Sequence, residues 1–284
     1  MSEIFLAIFN KDIIKPSISI IALQKKRMSD DMKIFCYIGS NNGEKSTTAL
    51  IAKELIKMIV AKRKGQVEYS IYTGKDTKIH ECSGCLQCFG TGSCPYDQSD
   101  DMGEIKKKML EANILILGSP VYFHSVSGNM KTFFDRISYW THLMKLTGKI
   151  GVAISTSGGN GLQYVDSYIS KLYDFLGVYN VGSIMKETYT LEIMKMNGIL
   201  ANMQSEIEAV AETIIHEYYD FDSSKYQCTD FQDRLFEYYT EKYHSLLKYL
   251  DVSIEIQDWK NNGFFDVDNF KEIYVKKFLL QKEQ

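Results

Sequence analysis

Residues 32–218 predict a doubly wound α/β fold, a five-stranded parallel sheet covered by helices on both faces. Three observations carry that expectation. Short apolar runs alternate with amphipathic stretches of helical length from Met32 to Tyr218, the pattern of repeated strand–helix–strand units. One run, Asn113 to Leu117, is apolar almost throughout, as a central parallel strand covered on both faces has to be. The loops rich in glycine, hydroxyls or cysteine all follow strands rather than precede them.

Taken in order, Lys33 to Ile38 is the first strand, and it runs into Gly39-Ser40-Asn41-Asn42-Gly43. A helix begins near Thr48, with Leu50, Ile51, Leu55, Ile56 and Ile59 on one face at helical spacing. Gln66 to Thr73 is a second strand, followed by a cysteine-rich loop. Ser99-Asp100-Asp101 then offers caps for a helix to Glu111. Asn113 to Leu117 is the third strand, Ser127 to Trp140 a helix, Lys149 to Ser155 the fourth strand and Tyr164 to Leu176 a helix. Val178 to Met185 supplies the fifth strand, and Ala201 to Tyr218 the helix that closes the unit.

Two flanking regions stand apart. Residues 1–31 read as an extension with β-like runs Ile4 to Phe9 and Ile18 to Leu23 around Lys15-Pro16. Residues 219–284 read as a helical C-terminal extension. There Thr229 and Gln232 form a capping box, and Phe236, Tyr239, Tyr243, Leu246 and Leu250 make an amphipathic stripe that predicts one long helix. The stripe is expected to pack on its own domain or to build a subunit contact.

Composition narrows the function. The 284 residues are 45% hydrophobic and 24% charged, ordinary for a globular chain with a normal core. Net charge is −3, from 33 basic and 36 acidic residues, so no basic field points to nucleic acid or to an anionic membrane. It is also milder than the strongly acidic surface of a small dedicated electron carrier. No run approaches the roughly 18 apolar residues of a membrane span. Ile4 to Phe9 is short for a signal-peptide core and follows Glu3, so a cytoplasmic, reducing location is expected.

In an open parallel sheet, ligands collect outside the carboxyl ends of the strands, where strand order reverses. Four unusual loops leave those ends here. The first, Gly39 to Thr48, is rich in glycine and hydroxyls and opens a helix at Ser46-Thr47-Thr48, which suits a phosphate dianion. It lacks both the Gly-Lys-Ser/Thr ending of a triphosphate loop and the Gly-x-Gly-x-x-Gly of a dinucleotide fold, so a monophosphate is favoured. The third, Gly118 to Ser127, carries Pro120, Val121, Tyr122 and Phe123 and presents backbone and an apolar wall to a flat ring. The fourth, Ser155 to Gly161, allows close backbone approach because its glycines lack Cβ.

Gly118-Ser119-Pro120-Val121-Tyr122, followed by Ser127, Met130-Lys131, Phe134 and Asp135-Arg136, resembles the signature of NADPH-dependent FMN reductases with the flavodoxin-like fold. Cys82 to Cys94 followed by Asp100-Asp101-Met102 is similar to the iron-sulfur flavoprotein branch. The resemblance covers about 32–180. It implies strand order 2-1-3-4-5, bound FMN, NAD(P)H as reductant, a small-molecule acceptor and a homo-oligomer. Carried over by position, Ser40, Ser46, Thr47 and Thr48 take the phosphate, while Pro120, Val121, Tyr122 and Phe123 and then Thr156, Ser157, Gly158 and Gly159 flank the ring. Asn41 and Asn42 stand where the family has Pro and Arg.

Cys82-x2-Cys85-x2-Cys88-x5-Cys94 admits three readings: a [4Fe–4S] cluster, unmetallated thiols, or zinc, which more often takes two separated pairs. The resemblance implies the cluster beside FMN, with a ferredoxin-like electron donor. A disulfide is disfavoured in a reducing compartment. Cys36 and Cys228 read as inert. His124, on the third loop, is a candidate proton donor and His80 a candidate metal ligand, each more often a packing or surface residue. No catalytic side chain is expected, because the cofactor carries the chemistry. The expected function is FMN-dependent NAD(P)H oxidoreduction of a quinone, flavin, nitroaromatic or specialised metabolite. The alternatives are an electron-relaying iron-sulfur flavoprotein and a flavin-less binding or scaffold protein, the last suggested by Asn41-Asn42.

Overall fold

The structure, a computed structural model, describes residues 31–188, 196–247, 249 and 253–283. The β-like runs of residues 1–30 and Leu250 of the tail stripe lie outside them.

Five strands, β1 (Met32–Ile38), β2 (Val67–Thr73), β3 (Ile114–Pro120), β4 (Ile150–Ser157) and β5 (Tyr179–Glu187), form one parallel sheet in the order β2-β1-β3-β4-β5. This is the expected flavodoxin-like order. Ile114, Leu115, Ile116 and Leu117 are fully buried, each worth about 1.5–3 kcal/mol over exposure, which is why the chain places β3 in the middle. The step from β1 to β2 runs one way along the sheet and the later three run the other way. Right-handed crossovers therefore put α1 (Thr47–Lys62) on one face. The opposite face takes α2 (Gln87–Thr91), α3 (Met102–Glu111), α4 (Gly128–Arg136) and α5 (Leu162–Leu176). After β5, α6 (Met196–Tyr219) returns to pack on α1.

Register sets the site. Ile38 lies opposite both Thr73 and Gly118, and Pro120 lies opposite Thr156. The first, third and fourth loops thus leave the sheet side by side at the reversal between β1 and β3.

The helix expected over Ser127 to Trp140 ends at Arg136 and gives way to a tighter turn over Ser138–Leu143. Ile137, Tyr139, Trp140, Leu143 and Met144 are all buried, an arc wider than one helical stripe can turn inward. The tail forms three helices, α7 (Asp230–Leu247), α8 (Ile254–Asn261) and α9 (Phe270–Gln281). The capping box at α7 is formed, with Gln232 N donating to Thr229 Oγ1 and Thr229 N to Gln232 Oε1, both 3.1 Å. Phe236, Tyr239 and Tyr243 of α7 gather on the buried Trp259 of α8. Gln232 Nε2 also donates to Val178 O at 3.0 Å, docking α7 where β5 begins. At the amino end of β4, α9 packs over Gly148, whose Cβ would lie 2.8 Å from Phe278 N. There Lys149 is buried, its side-chain nitrogen donating to Leu110 O and Ala112 O.

Candidate functional site

The first loop closes on the start of α1. Ser46 caps the helix, its Oγ accepting from Ala49 N at 3.2 Å. The N–H groups of Thr47 and Thr48 stay outside the intrahelical ladder, as first-turn donors do, at the positive end of the helix dipole. Ser40 is buried and accepts from Asn42 N at 3.2 Å. Gly39 fixes the loop's base against α4: a Cβ there would meet Met130 Cβ at 2.6 Å, and Ser127 Oγ donates to Gly39 O.

Gly118 makes room in β3 for the seat of α1, since a Cβ there would lie 2.9 Å from Thr48 Cγ2. Ser119 is buried and accepts from Ser127 N at 2.9 Å, which turns the chain from β3 into α4. Thr48 Oγ1 and Thr156 Oγ1 lie 2.6 Å apart and join the first loop to the fourth. Val121 N donates to Thr156 O at 2.8 Å. Beyond it Tyr122 and Ser125 close a tight turn that leaves Phe123 fully exposed at its tip.

Two clefts result. One, of about 210 Å³, is lined by Ser40, Ser46, Thr47 and Thr48 with Pro120, Val121, Tyr122, Thr156, Ser157 and Gly158. The other, of about 480 Å³, is lined by Val121, Phe123, His124, Ser157, Gly159 and Asn160. They share Val121 and Ser157, so they adjoin, and all twelve residues expected at a cofactor lie on them. Sequence reasoning missed Asn42, Lys45, Asn160 and Thr188, which line them too. The first two sit within the loop already singled out. Thr188 follows β5 and is held by Ser157 O, which accepts from its hydroxyl at 3.1 Å, a partnership no local pattern reveals.

The second loop is built differently. Cys82 and Cys85 are exposed, and Cys88 and Cys94 half-buried. Burial, then the nearby charges of Cys94 and Cys82, push the Cys88 thiol up. The backbone N–H of Gln87 and the Ser83 hydroxyl draw Cys85 down. Among the described residues no three His, Cys, Asp or Glu side chains are gathered as a metal would require. His80 lies against Tyr96, not among the thiols. The loop's middle rests on Phe89, which packs against Tyr139 and His142, and its base is held by a buried cation. Arg136 is buried and donates to His80 O at 2.9 Å, to Asp97 at 2.8 Å and to Asp100. Asp100 in turn accepts from the N–H groups of His80 and Met102 at 2.9 and 3.0 Å. One guanidinium thus ties together the chain before Cys82 and the chain after Cys94. Cys36 is buried in β1, where desolvation pushes its thiol well up, as an inert core residue should be.

A family model described as NADPH-dependent FMN reductase matches residues 32–188, more than half of the chain. The chain belongs to the NADPH-dependent FMN reductase family. Among its relatives, an iron-sulfur flavoprotein of Archaeoglobus fulgidus is 39% identical over 37% of this chain and 47% of its own length. An iron-sulfur flavoprotein of Methanocaldococcus jannaschii is 33% identical over 53% of this chain and 74% of its own. An FMN-dependent NADH:quinone oxidoreductase of Stenotrophomonas maltophilia is 21% identical over 57% and 84%. The chain therefore spans about half to three quarters of the two iron-sulfur relatives.

The cofactor that goes with this FMN reductase family fits the clefts. Two helix-start N–H groups, the Ser46 and Thr47 side chains and nearby Lys45 match a phosphate. A Cβ at Gly158 or Gly159 would meet nothing within 4 Å, so the fourth loop leaves open space for a flat ring. The four thiols match an iron–sulfur cluster in donor chemistry, without being gathered. Among the described residues no helix is long and apolar enough to cross a membrane.

Proposed function

We propose that the chain holds FMN in the two adjoining clefts and uses NAD(P)H to reduce a small acceptor such as a quinone, flavin or nitroaromatic. The observation that carries this reading is the meeting of twelve residues from three loops at the sheet's topological switch point. Bound FMN supplies hydride chemistry that no side chain has. The start of α1, with Ser46, Thr47 and Thr48, binds the phosphate and neutralises part of its charge. The Thr48–Thr156 hydroxyl pair fixes the spacing of the first and fourth loops. Pro120 to Phe123 and Thr156 to Gly159 flank the ring and exclude water from one side of it. The exposed Tyr122 and Phe123 leave the open side to nicotinamide and acceptor in turn. The test is anaerobic purification, flavin analysis, and NADH and NADPH oxidation with quinone, flavin and nitroaromatic acceptors. One FMN per chain with acceptor-dependent oxidation is expected, and FMN-loaded protein inert toward both nucleotides would sink the reading.

The second reading is a [4Fe–4S] cluster on Cys82, Cys85, Cys88 and Cys94, fed by a ferredoxin-like donor in a homo-oligomer. Four thiols on one strand-end loop favour it, as do the names of the relatives. Iron and acid-labile sulfide near four per chain, as a cubane requires, is its expected signature, and their absence from anaerobic preparations removes it.

A further inference from the structure

Two consecutive residues of the third loop, Phe123 and His124, hold left-handed backbone at φ 51° and 57° without being glycine. They are the central pair of the Tyr122–Ser125 turn, whose ends exchange backbone hydrogen bonds of 3.0 Å each. A turn with both central residues left-handed is normally built from Gly, Asn or Asp, because a larger side chain crowds its own backbone there. Strain of this kind persists where the surroundings over-determine it, and it clusters at ligand sites.

The His124 side chain lines the cleft and reaches the elements beside it. Its ring stacks on Tyr164 of α5, centroids 5.1 Å apart and planes 24° from parallel. Its Nε2 lies 3.0 Å from Asn160 Oδ1 in the fourth loop. The fit continues below, where a Cβ on Gly161 would come within 2.8 Å of His124 Cδ2. Through these contacts His124 joins the third loop to the fourth along the lining of the 480 Å³ cleft.

We infer that His124 is a positioning residue, a latch that joins the third loop to the fourth and sets, before any ligand arrives, the gap into which a planar ring system slides. The inference rests on the FMN reading and deepens it. A wall already locked by the fold need not be ordered when ligand binds, so the latch appears in affinity and residence time. It does not appear in the stability of the empty protein, where removing His124 relieves the left-handed backbone.

Two variants separate these effects. His124→Gly removes the ring and the strain together. His124→Asn keeps a polar side chain that tolerates left-handed backbone and can still reach toward Asn160. FMN dissociation constants and off-rates are measured by flavin fluorescence, alongside the melting temperature of the flavin-free proteins. The expected result for His124→Gly is FMN bound roughly tenfold more weakly, through faster release, with a melting temperature equal to or above wild type. His124→Asn recovers much of the loss. FMN affinity within about twofold of wild type in His124→Gly, or a loss that tracks a fall in melting temperature, overturns the latch while leaving the cofactor reading intact. A wild-type chain that takes up no FMN overturns both.

Discussion

Around Thr48 the strand-end loops are interlocked: Ser127 holds Gly39, Thr48 meets Thr156, and Val121 N binds Thr156 O. Around Cys82 to Cys94, on the loop that leaves the neighbouring strand β2, the thiols stand at or near the surface; the loop's two ends are fastened by Arg136, Asp97 and Asp100, and Phe89 in its middle packs on Tyr139 and His142. The first region is a socket whose shape is settled by packing. The second is a strap pinned at its ends and at Phe89, with its thiols left apart. A phosphate and a flat ring are rigid, so a preformed socket costs little to fill. Four thiolates crowded together with nothing between them repel, so such ligands are better gathered by what they bind.

The largest test of that contrast is Arg136→Met. It leaves the Asp100 carboxylate, its side chain 1% exposed, without its cation and Asp97 with Lys106 alone, and a loss of about 3 kcal/mol is expected, measured by urea denaturation. Limited proteolysis should then cut between Cys82 and Cys94 while the folded fraction still binds FMN. Loss of FMN with the strap would mean that the two regions are one. Gly39→Ala probes the socket instead. With Met130 Cβ only 2.6 Å from the added carbon, overpacking should cost about 1–3 kcal/mol and weaken FMN without altering thiol reactivity toward a chromogenic disulfide. Ser46→Ala removes a cap bond at the start of α1 and should cost about 1 kcal/mol, together with phosphate affinity; riboflavin binding, measured in parallel, should change less than FMN binding.

The smallest effect is in acid. Burial pushes the Asp100 carboxyl up, but the hydrogen bond from Arg136 and those from His80 and Met102 N–H more than offset it and leave it below its ordinary 3.8. The folded chain therefore keeps this carboxylate charged to lower pH than the unfolded chain does. The contribution is full above that ordinary value and fades as pH falls through the lower, folded one. Denaturation of wild type and Asp100→Asn should differ at neutral pH and converge as the medium is acidified below about pH 4; a constant gap would mean that the charge is not what holds the strap.

Much of the socket was legible in the sequence because its signals are local. An all-apolar Ile114 to Leu117 can only be a covered strand, and a hydroxyl-rich stretch before Leu50 and Ile51 can only open a helix. What was not legible depends on distant partners. Nothing near Arg136 announces that it binds Asp97 and Asp100, and nothing near Thr188 says that it closes on Ser157. The tail was half legible: the stripe of Phe236, Tyr239 and Tyr243 marks α7, with its capping box. Helix α9 gave no stripe, because Phe270, Ile273, Tyr274, Val275, Phe278 and Leu279 are all buried and spread around its axis.

Beneath α9 lies a lysine that records whether the tail is in place. Burial, with Lys277 adding to it, brings the Lys149 ammonium down to about 7 from its ordinary 10.5, and Tyr274 of α9 donates to the Lys149 carbonyl at 3.3 Å. Lifting α9 away would return that amine to water and to its ordinary basicity. Between about 7 and 10.5, undocking therefore takes up a proton, and each rise in pH tightens the closure. The docking of the tail is thus expected to depend on pH, at the end of the sheet opposite the clefts.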